Sequence, residues 1–77
     1  MTVSVRIQCG DLDWIGDARN YKAAFRKAVR EQKPESLAPL YRFRFVKKVS
    51  DRPIYTSVYF YADAFAHLPK SMKGVQS

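Results

Sequence analysis

The sequence has one cysteine, Cys9, and one histidine, His67, in 77 residues. A lone cysteine excludes an internal disulfide, and the two counts together exclude a multi-cysteine or multi-histidine zinc site within one chain. Glycine is scarce: Gly10, Gly16 and Gly74 stand apart, so no glycine-rich phosphate loop can be drawn. No apolar run approaches the ~18 residues of a membrane span. The opening Met-Thr-Val-Ser-Val-Arg has no charged head leading into an apolar stretch, so no secretory leader is expected. Acidic residues are few, seven against fourteen basic, which leaves a net charge of +7. What remains, 47% hydrophobic and 27% charged, suits one small core and is too apolar for a disordered chain. The reading is a single domain over residues 1–68 with a flexible tail over 69–77, in the reducing cytoplasm that a lone thiol favours.

Residues 2–9 alternate, with Val3, Val5, Ile7 and Cys9 on one side, and predict a half-buried strand. Gly10 breaks the pattern, and residues 11–16 read as a loop with apolar anchors at Leu12, Trp14 and Ile15. Asp17 stands where a helix N-cap belongs. From Ala18 to Lys33, the spacing of Ala18, Tyr21, Phe25, Ala28, Val29 and Gln32 predicts an amphipathic helix, ended by Pro34. A second strand is expected over residues 40–49, a loop over 50–53, a third strand over 54–61 and a short helical turn over 62–68. The fold class is therefore α+β: a small two-layer β-α-β-β domain, one helix on a three-stranded sheet, half of a split βαβ layout. A right-handed crossover would set the first two long strands parallel. So thin a core favours a homodimer.

The charge is concentrated: residues 19–48 hold ten basic residues against two acidic ones. On the helix, Arg19, Lys22, Arg26, Arg30 and Lys33 share one flank beside the apolar face. Like charges at i, i+4 cost roughly 0.2–0.5 kcal/mol per pair, so helix stability does not explain the row. It is either a solvated face or a set of cations for phosphates or an acidic partner. With residues 50–53 as the loop, hairpin parity sends Phe43, Phe45, Val58 and Phe60 toward the helix. The outer face then pairs Lys48 with Tyr55, Arg44 with Tyr59 and Arg42 with Tyr61. Such Arg–Tyr neighbours can stabilise a hairpin by themselves, can be buried in a dimer, or can form a platform that grips phosphates and stacks on bases.

Catalytic chemistry has little to stand on. Asp11, Asp13, Gly16 and Asp17 hint at an oxygen-ligand cation loop, but Ile15 and Lys22 occupy positions where further oxygen ligands belong. Cys9 shares its parity with Val5 and Ile7 and reads as a buried hydrophobe rather than a partner of His67. No catalytic residue, metal or cofactor is assigned. The favoured function is a non-catalytic nucleic-acid-binding module, RNA or single-stranded DNA ahead of duplex. Its sites are Arg19, Lys22, Arg26, Arg30, Lys33, Arg42, Arg44, Lys48, Tyr55, Tyr59 and Tyr61. The alternative is a protein-interaction or assembly module docking on an acidic partner, and no membrane partner is expected.

Overall fold

The computed structural model describes residues 2–55 and 58–68. The tail expected over 69–77 lies outside them. Seven elements follow in order: β1 (Val3–Cys9), β2 (Leu12–Ala18), α1 (Tyr21–Gln32), β3 (Leu40–Val49), β4 (Arg52–Tyr55), β5 (Phe60–Asp63) and the single turn α2 (Ala64–His67). One helix packs on one face of a multi-stranded sheet, the α+β class expected from the sequence. Among the described residues the sheet has five strands rather than three, in the order β2-β1-β3-β4, with β5 also pairing β3.

The added strand is the segment read as a loop. Leu12 and Trp14 alternate with Asp13, Ile15 and Asp17, and β2 pairs antiparallel with β1 from Cys9↔Leu12 to Val3↔Ala18. The two-residue turn between them places Gly10 at φ +59, where a Cβ would lie 2.3 Å from the Ser36 carbonyl oxygen. A positive φ at the first central residue is what a type II′ turn asks of glycine. The extra strand also reverses the expected direction of pairing. β1 runs antiparallel to β3, Val5↔Phe45 and Ile7↔Phe43. Since β2 and β3 are each antiparallel to β1, they are parallel to each other. The split βαβ unit is thus β2-α1-β3 with β1 between, not a parallel pair of the first two long strands.

The helix begins three residues later than the apolar spacing and the Asp17 cap suggest. Asn20, not Asp17, is its N-cap, with Oδ1 accepting from the Ala23 backbone N–H at 2.9 Å. Capping of this kind contributes about 1 kcal/mol. Lys33 closes the helix in the left-handed conformation, φ 48, its N–H bonded to the Val29 carbonyl. Ala24, Phe25, Ala28 and Val29 are buried against Val5, Ile7, Cys9, Leu12, Trp14, Tyr41 and Phe43. Phe25 stacks on Tyr41 at 4.0 Å between centroids, and Tyr21 stacks on Phe43 at 4.5 Å. Cys9 is buried as expected, its thiol directed at the Ala38 carbonyl oxygen at 3.3 Å.

The third strand expected over 54–61 is two strands. β4 pairs with β3 from Val49↔Arg52 to Val46↔Tyr55, so the turn is Ser50-Asp51 alone. β5 pairs from Phe43↔Phe60 to Leu40↔Asp63. The register differs by two residues between them: Tyr55 and Phe60, five apart in sequence, pair with Val46 and Phe43, three apart. Tyr55 therefore stands opposite Val46 rather than Lys48, while Arg42↔Tyr61 is paired as expected.

Candidate nucleic-acid interface

Strand alternation sorts the side chains onto two faces. The helix lies over β2 and β1 on one of them. The other carries no helix among the described residues, and there β1 presents Ser4, Arg6 and Gln8, β2 presents Asp13, Ile15 and Asp17, and β3 presents Arg42, Arg44 and Val46. Tyr55 and Tyr61 join this face from β4 and β5, while Tyr59, in the slipped segment, reaches it as well.

Here the structure brings together most of the expected sheet residues. The Arg44 guanidinium lies 3.9 Å from the Tyr59 ring centroid and 5.4 Å from that of Tyr55. Arg42 lies 5.0 Å from the Tyr59 centroid, and Arg6 lies 5.4 Å from Tyr55. Three guanidinium groups thus bracket two rings, with Tyr61, 60% exposed, beside Arg42. Arg44 Nε is buried and has no hydrogen-bond partner. Neither Arg42 nor Arg44 forms an ion pair with a carboxylate among the described residues.

Two other cations on this face are held internally. Arg6 donates to Asp13 through Nε at 3.0 Å and through its second terminal nitrogen at 2.7 Å. That bidentate contact raises the Arg6 pKa and, with a hydrogen bond from Gln8, keeps the Asp13 carboxyl below the usual carboxylate range. Gln8 Oε1 accepts from the Tyr59 hydroxyl at 2.7 Å, tying the tyrosine bracket to β1. Lys48, expected to be a free phosphate contact, pairs with Asp17 at 3.2 Å. The Ser4 hydroxyl donates to the same carboxylate, and these two partners lower the Asp17 pKa.

The helical row lies on the opposite side of the sheet. Arg19, Lys22, Arg30 and Lys33 are exposed, whereas Arg26 is half-buried with Nε donating to the His67 carbonyl oxygen at 3.1 Å. The row flanks α2, and the other flank of the helix faces β2 through Glu31 and Gln32. The two groups of expected site residues are therefore not contiguous in one chain. Parity was right for Phe45 and Phe60, which stand on the helix side, but they remain 36% and 46% exposed where the sequence suggested core. Arg6 and Gln8 are the members of the open-face cluster that sequence reasoning did not include. Alternation alone assigns both to the outward side of β1, which becomes the open face once β1 is placed beside β3.

His67 accepts or donates at Nδ1 with the Tyr41 hydroxyl at 3.0 Å, so its ring is engaged there and the Cys9 thiol elsewhere. Among the described residues no group of three or more His, Cys, Asp or Glu is arranged to hold a metal ion, and no helix is long and apolar enough to cross a membrane. No family model matches the sequence, and no curated protein or solved structure matches the chain.

Proposed function

We propose that the protein is a single-stranded nucleic-acid-binding module, RNA or DNA, that uses the open face of its sheet. The observation that supports this reading is the Arg42–Arg44–Tyr55–Tyr59 cluster: two guanidinium groups positioned by aromatic rings rather than by carboxylates. A guanidinium held over a ring is preorganised to donate to a phosphate, and the exposed Tyr61 ring is a surface on which an unpaired base stacks. The helical row is too far round the molecule to share a short ligand with this face. Its role in the proposal is to raise the local concentration of polyanion and to engage longer strands that pass around the sheet edge. A cytoplasmic setting goes with the proposal, since the lone thiol of Cys9 is kept reduced there.

The test is binding of short RNA, single-stranded DNA and duplex DNA by the whole chain and by Tyr61→Ala. Tyr61 is exposed, so the variant should keep the native melting curve. Loss of a stacking ring is worth roughly 1–3 kcal/mol per base and acts on unpaired bases only. The single strands should therefore weaken while duplex binding stays as it is. Equal loss on all three ligands, or none, overturns the proposal.

A further inference from the structure

On the helix side of the sheet, beyond the reach of the helix, β3 and β4 continue as an arm. Phe43 is buried under Tyr21, but Phe45 and Phe60, which pack against Phe43 and each other at 5.6–5.8 Å between centroids, are open to solvent. Further along the arm, Lys47 stands beside Ile54 and Val49 beside Arg52 across the ladder. Val49 and Ile54 are each about half exposed. A chain this small that leaves four large apolar side chains together on one face, alternating with cations, has a surface that water alone does not favour.

We propose that this shelf is a docking site for an acidic segment of another protein carrying apolar anchors. The anchors would rest on Phe45, Phe60, Val49 and Ile54, while carboxylates meet Lys47 and Arg52. The charge pattern selects this occupant over the others. A second copy joined by a two-fold axis would bring the same shelf against itself, so that Lys47 and Arg52 meet a surface carrying the same cations rather than carboxylates. The chain's own residues 69–77 carry Lys70 and Lys73 and no acidic residue. A nucleic acid would satisfy the two cations but would bring polar base edges and sugar against aliphatic Val49 and Ile54, where nothing answers their hydrogen bonds.

The experiment is amide NMR on the whole chain, titrated with a short synthetic peptide of Leu residues spaced by Glu, and with its counterpart in which every Glu is Lys. The acidic peptide should give saturable shifts confined to the β3–β4 arm and Phe60, and the basic peptide none. Lys47→Glu and Phe60→Ser, both at exposed positions, should each weaken the acidic peptide by about tenfold or more. Arg42→Gln on the open face should leave its affinity unchanged, which separates a failure here from a failure of the nucleic-acid proposal. Any one of four results overturns the inference. The acidic peptide gives no saturable shift, or both peptides shift the same amides. Removal of residues 69–77 moves the shelf resonances with no peptide present. The free chain forms a concentration-dependent dimer that Phe60→Ser abolishes.

Discussion

The side-chain amide of Gln32 closes both backbone groups of Asp13: Nε2 donates to the Asp13 carbonyl oxygen at 2.7 Å, and Oε1 accepts from the Asp13 N–H at 3.2 Å. β2 is an edge strand, and an open edge invites pairing with another chain. A helix residue here substitutes for the missing neighbour strand. Lys27 does the same at Asp17, donating from Nζ to its carbonyl oxygen at 3.4 Å. Gln32 therefore belongs to the stability of the edge as much as to the helix.

Replacing Gln32 by Ala should remove two hydrogen bonds, each worth about 0.5–1.5 kcal/mol net. The expected outcome is a melting temperature several degrees lower and faster exchange of the Asp13 amide, with Ile7 and Val5 amides little affected. If Asp13 exchanges at its native rate in the variant, the amide clamp does not operate in solution.

The three phenylalanines that sequence reasoning places in one core should respond unequally. Phe25 is fully buried and stacked on Tyr41, so Phe25→Ala should cost about 3–5 kcal/mol and abolish a cooperative transition in so small a domain. Phe45 and Phe60 are partly in water already, and their truncation should cost about 1 kcal/mol each. Thermal or denaturant unfolding of the three variants checks this. Comparable losses at all three positions would mean that the shelf is covered.

That contrast shows which parts of the fold were legible. Alternation in residues 3–9 and the helical spacing of Phe25, Ala28 and Val29 report a period, and a period survives any change in partner strand. The side of the sheet on which Phe45 and Phe60 stand is likewise a matter of parity. How far α1 extends over that side is not, because it depends on where the helix axis settles above β2 and β1. The slip of two residues between β4 and β5 was invisible for a related reason: an even shift leaves every side chain on its face. β2 was missed although Gly10-Asp11 flanked by alternating runs is a hairpin signal. Its outward positions Asp13, Ile15 and Asp17 read as a loop until Arg6 and Lys48 are seen to pair with the two aspartates.

The two hairpins make opposite predictions about their turns. Each has a positive φ at its first turn residue, glycine in one and serine in the other: Gly10 at 59 and Ser50 at 57. Ser50→Gly should stabilise the protein by roughly 1 kcal/mol, since a left-handed L-residue costs about 1–2 kcal/mol that glycine avoids. Gly10→Ala should destabilise it by at least as much, because the new Cβ also meets the Ser36 carbonyl oxygen. Melting curves decide both. A Ser50→Gly variant less stable than the parent would place the β3–β4 turn in another conformation.

His67 makes stability depend on pH. Burial, then the charges of Lys22 and Arg26, push its pKa below the ordinary value of about 6.5. The unfolded chain therefore binds its proton more readily than the native one, so this contribution is fully present above the unfolded pKa and is lost as pH falls below it. Stability should begin to fall as pH drops through the unfolded histidine value of about 6.5, above the range where Asp13 and Asp17 titrate. His67→Gln should flatten that part of the curve. If the decline persists in the variant, another group is responsible for it.

Salt dependence should show which of the two cationic surfaces a strand uses. Each phosphate neutralised on a single strand contributes about −0.7 to the slope of log K against log salt. An oligonucleotide long enough for the open face alone meets Arg42 and Arg44, so its slope should be only about −1.4. A longer strand that also reaches the four exposed cations of the helical row, Arg19, Lys22, Arg30 and Lys33, should approach a slope of about −4.2. Lys22→Glu with Arg30→Glu, both at exposed positions, should leave the short ligand untouched and flatten the slope of the long one. Arg26 is excluded from that variant because its guanidinium holds α2 through the His67 carbonyl oxygen. A steep slope for the shortest ligand, lost on reversing Lys22 and Arg30, would move the binding site from the sheet to the helix.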